Sequence, residues 1–318
     1  LSYLQPVHIC PVDPDPEGGT KTVLSLECGP GDNQHWVDTG TKVKGTALTN
    51  CTFETWVYPR ALSVCNLLSQ FSGADYRSTW TLFQASDGRL HQRFSMYDPG
   101  AGAWIYFDSE YPVRLNRWSH LALVIADDEW RFYVDGKLDT VRTVCSGLHL
   151  VDAGSTCDGV VIGNQRLWAT PPVPNGTCNA MFSEARVWSR ARTGEEIAAN
   201  WMTRISKPWL EPNLIGYLPL DDGTPAAEAD GQCARNCANI DVEAAGKSVD
   251  PELYIQSSVK KGMWTAVNDL PLTNSAPANR AVIRTAKWGN IQTNSVDSLV
   301  KDVANRFTFT GWYLFARR

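Results

Sequence analysis

The chain contains no run of eighteen apolar residues, so no segment reads as a helix that would insert in a membrane. It also lacks a basic block. Its 29 Lys and Arg and 34 Asp and Glu are spread over 318 residues for a net charge of −5. Nucleic-acid binding, which needs clustered cations to displace counterions, is excluded on that ground. No Gly-x-Ser-x-Gly occurs and the five His are scattered, which leaves a Ser/His/Asp triad without a frame. No Cys/His cluster has zinc spacing. A carboxylate alternation of the form Glu-x-Asp-x-(x)-Glu, which would set an acid and a nucleophile on one strand face, is missing too. Glu195-Glu196 falls at a helix start and Asp127-Asp128-Glu129 in a turn. The expectation is a protein that is not an enzyme and has no catalytic residues. The chain starts at Leu1 with neither a methionine nor a charged-then-apolar leader, which suggests a mature or trimmed product.

What the chain does have is apolar bulk and cysteine. A hydrophobic content of 43% with thirteen Trp rules out a disordered polymer. Nine Cys point to an oxidising compartment. Asn50-Cys51-Thr52 and Asn175-Gly176-Thr177 are N-glycosylation sequons, so a secreted, extracellular glycoprotein modified at Asn50 and Asn175 is expected. Cys51 sits inside its sequon, where early pairing would compete with glycan addition. The spacing suggests bridges Cys145–Cys157 and Cys233–Cys237, each closing a loop. Pairing among Cys10, Cys28, Cys51, Cys65 and Cys178 stays open, and the odd count leaves one thiol free or bonded to another chain.

The periodicity is that of strands. Thr52 to Tyr58 alternates, with Phe53, Thr55 and Val57 on one face and Glu54, Trp56 and Tyr58 on the other, and Pro59 ends the run. Aromatics on both faces suit a sandwich strand whose outer side is partly covered. Arg117 to Ile125 and Trp130 to Lys137 read as two strands around Ala126-Asp127-Asp128-Glu129, and Asp135-Gly136 makes the next tight turn. Val160 to Asn164 and Phe182 to Trp188 are further strands. Thr193 then opens a short helix with Glu196 three residues on, a capping box, followed by Ile197, Ala198, Ala199 and Trp201 as one apolar side. The order and spacing of these segments, including the Tyr133-Val134-Asp135-Gly136 strand end and the last strand turning into a capped helix, resemble the laminin-G-like, concanavalin-A-like domain family. The resemblance implies an all-β, concanavalin-A-like jelly-roll sandwich, and a function of contact rather than catalysis.

The organisation expected from this is an N-terminal arm over 1–20, a laminin-G-like module over 21–205 and a Pro-punctuated linker over 206–213. Leu214 to Gly223 resembles the opening strand of another such module, and Phe307-Thr308-Phe309-Thr310-Gly311-Trp312 echoes Thr52-Phe53-Glu54-Thr55-Trp56 with one residue inserted. Residues 214–318 are therefore expected to be an incomplete second module, with Phe307, Phe309, Trp312, Leu314 and Phe315 forming an assembly edge that needs a cover. Copies of the chain or other extracellular proteins would be the partners, in a filament or matrix with a structural or adhesive role.

The alternative is a calcium-assisted, lectin-like domain of a cell-surface protein. The resemblance implies a rim site for calcium, for which Asp32, Asn33, Asp158 and Asn164 are the candidate ligands. Asp and Asn beside Gly also make ordinary turns. Glycans would be held by exposed aromatics, with Trp80, Trp104 and Trp130 as candidates and Arg77 or Asp75 orienting hydroxyls. Trp118 and Trp188 are assigned to the core or to the underside of the closing helix.

Overall fold

The computed structural model describes residues 20–27, 35–39, 50–72, 76–98, 102–143, 160–167, 173–175, 178–205, 208–232, 234, 236–239 and 258–273. Its strands are β1 (Lys21–Leu26), β2 (Trp36–Asp38), β3 (Cys51–Pro59), β4 (Cys65–Ser72), β5 (Tyr76–Gln84), β6 (Leu90–Asp98), β7 (Ala103–Asp108), β8 (Ser119–Ala126) and β9 (Glu129–Val134). They continue with β10 (Lys137–Thr143), β11 (Val160–Ile162), β12 (Gln165–Leu167), β13 (Val173–Asn175), β14 (Ala180–Trp188), β15 (Leu214–Leu218), β16 (Ser258–Lys260) and β17 (Met263–Val267). One helix, α1 (Gly194–Asn200), follows β14. An eight-stranded antiparallel sheet runs β10-β9-β8-β3-β14-β1-β17, with β15 also on β14. A seven-stranded sheet runs β16-β2-β11-β4-β5-β6-β7. The two stack as the jelly-roll sandwich that the strand pattern implied.

Alternation decides which side chains fill the space between the sheets. Phe53 and Val57 of β3 point into it, together with Leu121, Leu123 and Ile125 of β8 and Phe182 of β14. The other sheet supplies Leu67, Trp80, Leu82, Phe94, Met96 and Phe107. Phe94 meets Trp130 edge-on at 4.8 Å between ring centres, and Phe107 stacks on Phe132 at 4.4 Å. Burying aromatics of this size supplies much of the driving force for closing the sandwich. One polar pair crosses the gap: Gln92 accepts from Trp80 Nε1 at 3.2 Å and donates to the Tyr133 carbonyl at 3.1 Å. The Cys65–Cys178 disulfide joins β4 to the approach of β14, so it ties one sheet to the other. That pairing was one the sequence left open.

The expected face assignment of β3 holds, but its outer side is covered more fully than expected. Trp56 is buried with Val23, Trp118, Met181, Val267, Leu270 and Leu272 in a second cluster outside the sandwich core. Beside it, Ala122, Val124 and Tyr133 lie under Ile197 of α1. The helix starts as its sequence dictated. Thr193 Oγ1 accepts from the Glu196 N–H and Glu196 Oε2 accepts from the Thr193 N–H. Asp135 and Gly136 both have positive φ, as a two-residue hairpin turn requires. Gly136 has a second constraint, because a Cβ there would run into the indole of Trp201.

The segment after residue 213 corrects the expected boundary. Strand β15 pairs with β14, β17 with β1 and β16 with β2. Strands β15, β16 and β17 thus extend both sheets of the first sandwich and do not open a second one. The switch is made at a kink in β14. Its first half pairs with β1 through Ala180 to Phe182, a bulge follows with Glu184 at positive φ, and its second half pairs with β15 through Ala185 to Trp188. The aromatics Phe307, Phe309, Trp312, Leu314 and Phe315, expected to build an assembly edge, lie outside the described residues, as does the 1–19 part of the expected arm.

Candidate functional site

Among the described residues of the sheets, the most exposed aromatics lie on the outward face of β5, β6 and β7. Register sets its rows: Thr81 opposite Arg93 opposite Asp108, and Thr79 opposite Ser95 opposite Tyr106. Trp104 and Tyr106 stand two residues apart on β7, so both project to this side about 7 Å from each other. They are 42% and 55% exposed, whereas the intervening Ile105 is packed against the core.

Below the Tyr106 ring a cation is locked in place. The Arg93 guanidinium lies over the Phe83 ring at 3.8 Å and over the Tyr106 ring at 4.7 Å. Its Nε donates to Asp108 Oδ1 at 2.6 Å and one terminal nitrogen donates to Oδ2 at 2.8 Å. The hydrogen bond to Asp108 raises the Arg93 pKa above its ordinary value, so the guanidinium stays charged. Phe83, Arg93 and Tyr106 form a stack whose top ring is open to water. Such a surface offers a flat apolar face with polar groups at its border, which suits the faces and hydroxyl edges of a pyranose.

The border of β7 is tied to β10. Arg142 of β10 reaches across from the other sheet and donates to the Tyr106 carbonyl. Past the end of β7, Asp139 accepts from the backbone N–H of Glu110 at 3.1 Å and of Tyr111 at 3.0 Å.

Two other features were weighed. A pocket of about 460 Å³ on the opposite flank is lined by Ser25, Glu27, His35, Glu228, Asp230, Lys261, Gly262 and Met263. Two of its three carboxylates are engaged: Glu27 pairs with Arg60 at 2.6 Å and Asp230 accepts from the Lys261 N–H at 2.9 Å. The second feature is a buried charge network on the outer face of the eight-stranded sheet. Glu54 faces Arg192 at 2.5 Å, Trp188 Nε1 at 2.7 Å, His120 at 3.4 Å and Arg186 at 3.9 Å. Glu184 faces Arg186 at 3.1 Å, Arg204 at 3.2 Å and the Tyr217 hydroxyl at 2.6 Å. Burial alone would raise the Glu54 carboxyl, but His120 and the charges of Arg192 and Arg186 outweigh it and hold it below the carboxylate range. Burial lowers His120, which keeps it neutral. These side chains are shut away from solvent, so the network braces the fold. Sequence reasoning missed it, although Glu54 and Arg186 alternating with aromatics on outward-facing positions were its visible trace.

The residues singled out beforehand separate clearly. Trp104 is part of the aromatic face. Trp80 and Trp130 are each 1% exposed and belong to the core, which corrects their assignment as sugar platforms. Arg77 is placed on β5 one position from the Ser78–Met96 row, on the strand that carries the platform's Phe83, and Asp75 lies outside the described residues. Trp118 and Trp188 are buried, as assigned, with indole N–H groups donating to Asp269 at 3.1 Å and to Glu54.

Asp32, Asn33 and Asp158 lie outside the described residues, while Asn164 is buried and its carbonyl accepts from the Ser69 hydroxyl at 2.6 Å. Asn164 therefore does not present itself at a rim, and among the described residues no three His, Cys, Asp or Glu side chains converge on a metal position. Asn50 is half-buried and donates to Asp127 at 2.9 Å, while Cys51 is a free buried thiol and Thr52 is buried beside it. Asn175 ends β13. Cys145, Cys157 and Cys233 lie outside the described residues, and Cys237 is buried.

Comparison with known proteins bears on the fold. None of the curated proteins matches this chain. Among solved structures, a candidate carbohydrate-binding protein from Bacteroides ovatus is similar over 84% of this chain, with 17% identity and a TM-score of 0.51. The chain spans 60% of that protein's length. A heptameric pentraxin from Limulus polyphemus is similar over 56% of this chain and 80% of its own, with 17% identity and a TM-score of 0.44. The CBM40 of an IT-sialidase from Ruminococcus gnavus, in a complex with α2,3-sialyllactose, matches over 57% of this chain and 97% of its own, with 14% identity and a TM-score of 0.39. A sequence family matches residues 31–198, and by that match the chain belongs to the concanavalin A-like lectin/glucanases superfamily.

Proposed function

We propose that the chain is a non-catalytic carbohydrate-binding domain of an extracellular protein, and that it holds a glycan against the outer face of β5, β6 and β7. The observation that carries this reading is the exposed pair Trp104 and Tyr106, two residues apart on one strand face, with Tyr106 braced from below by Arg93 and Phe83. Aromatic rings set side by side on one face next to polar groups are the kind of surface on which sugar rings stack. The Bacteroides ovatus protein, similar in fold, is itself described as a candidate carbohydrate binder, which agrees with the reading. The Cys65–Cys178 bridge supports an oxidising compartment.

A panel of immobilised glycans, followed by calorimetry on the best ligand, tests the proposal. Trp104→Ala should weaken binding by about 1–2 kcal/mol, about ten- to thirtyfold in Kd, because truncating an anchoring aromatic usually costs that much. Its unfolding midpoint should stay where it is, since the ring contributes to surface and not to core. A panel without binders, or a Trp104→Ala variant with undiminished affinity, would overturn the assignment.

A further inference from the structure

The aromatic face has a cation at its border whose charge nothing spends. Arg142 is exposed at the end of β10, directed across the mouth of the sandwich, with one guanidinium nitrogen donating to the Tyr106 carbonyl. That contact holds the guanidinium against the edge of β7 at Tyr106, on an exposed side chain. Three carboxylates of the adjoining strands and turn are committed elsewhere. Asp108 holds Arg93 in a two-pronged pair, Glu129 holds Arg131 at 2.8 Å, and Asp139 accepts from two backbone N–H groups and from the Thr140 hydroxyl at 2.8 Å. Among the described residues no carboxylate lies within ion-pair distance of Arg142.

We propose that Arg142 is a specificity-determining residue and that the glycan held by Trp104 and Tyr106 carries an acidic group, a carboxylate or a sulfate, that docks on it. The inference rests on the carbohydrate-binding reading and goes further by naming the class of sugar. A planar guanidinium offers paired donors to a carboxylate or sulfate, whereas a neutral hydroxyl uses one at most. Because one nitrogen is already anchored, little side-chain freedom is lost when the anion arrives. The pair would form at the border, where salt weakens it, so its share of the binding must fall as ionic strength rises.

The test compares oligogalacturonate with its methyl ester, which has the same chain without the charge, and a sulfated galactan oligosaccharide with its unsulfated form. In one of the two pairs the acidic member should bind at least tenfold tighter at low salt, and which pair it is tells carboxylate from sulfate. Arg142→Gln should bring the acidic member down to the affinity of its neutral counterpart and leave the latter unchanged. Arg142→Lys should recover part of the gap. A purely structural edge contact would move the unfolding midpoint and not the acid-to-neutral ratio. Equal binding of acidic and neutral members by the unaltered chain, or an equal loss of both in Arg142→Gln, overturns the role of Arg142 while the carbohydrate reading survives. If none of the four ligands nor any panel glycan binds, both fall. Should Arg142→Gln fail to fold, the ratio in the unaltered chain and its decline with salt still decide.

Discussion

Glu54 is the residue on which the outer layer turns. Its carboxylate is fully buried between Arg192, Arg186, His120 and the Trp188 indole. With Glu184 and Asp221 set against Arg204 and Arg186, the network holds three carboxylates against three guanidiniums. Balanced buried charge is no source of large net stability, because desolvation offsets the attraction, but removing one partner strands the others. Glu54→Ala is therefore expected to cost about 3–5 kcal/mol in urea unfolding. A loss within experimental error would mean that water already screens the site. The pH dependence follows from direction alone. Since the folded carboxyl is held below its unfolded value, its contribution is complete above that unfolded value and is lost as the pH falls through the folded one.

At the scale of elements, α1 offers a second acid-sensitive point. Glu196 closes the capping box and pairs with Arg190 through both oxygens at 2.7 Å, and this pairing brings its pKa from 4.5 down to about 2. Stability from Glu196 should be whole above about pH 4.5 and drain away toward pH 2, and Glu196→Gln should flatten that stretch of the profile. Its carboxylate is partly exposed, so the effect is modest and shrinks with salt. Identical acid profiles for the two proteins would exclude the pairing in solution. The capping box was legible because every group in it lies within a few residues of the others. So were β3, β8, β9, their turn at Asp135-Gly136 and the two faces of β3, since period and turn chemistry are local. Which face of a strand looks at water is not local. Trp80 and Trp104 stand in similar alternating runs, yet Trp80 faces the opposite sheet and Trp104 the solvent. Neither the Cys65–Cys178 pairing nor the Arg93 stack could be read either, because each joins strands whose register only the fold sets.

The whole molecule departs from its sequence reading in how residues 214–273 are used. Their opening strand does resemble the start of a further module, and repetition is a fair argument from sequence. What decided otherwise is the apolar outer face of the eight-stranded sheet, where Val23, Trp56, Trp118 and Met181 need a cover that α1 alone is too short to give. Val267, Leu270 and Leu272 supply it, Trp264 is buried against Gly223, and Tyr217 donates its hydroxyl to Glu184. Fully burying side chains of this kind contributes about 1.5–3 kcal/mol each. Five of them come to the order of the whole stability of a domain, about 5–15 kcal/mol. A chain cut after Ile205 should then lose cooperative unfolding and bind hydrophobic dyes, whereas one cut after Thr273 should keep a single transition. The comparison discriminates sharply, because both cuts leave β1 to β14 and the Cys65–Cys178 bridge in place. If the shorter chain unfolded cooperatively at the midpoint of the longer, residues 214–273 would be an appendage and the outer face would need another explanation for tolerating Trp56 and Trp118. Loss of the transition in the shorter chain alone would mark the return of 214–273 as part of the folding unit.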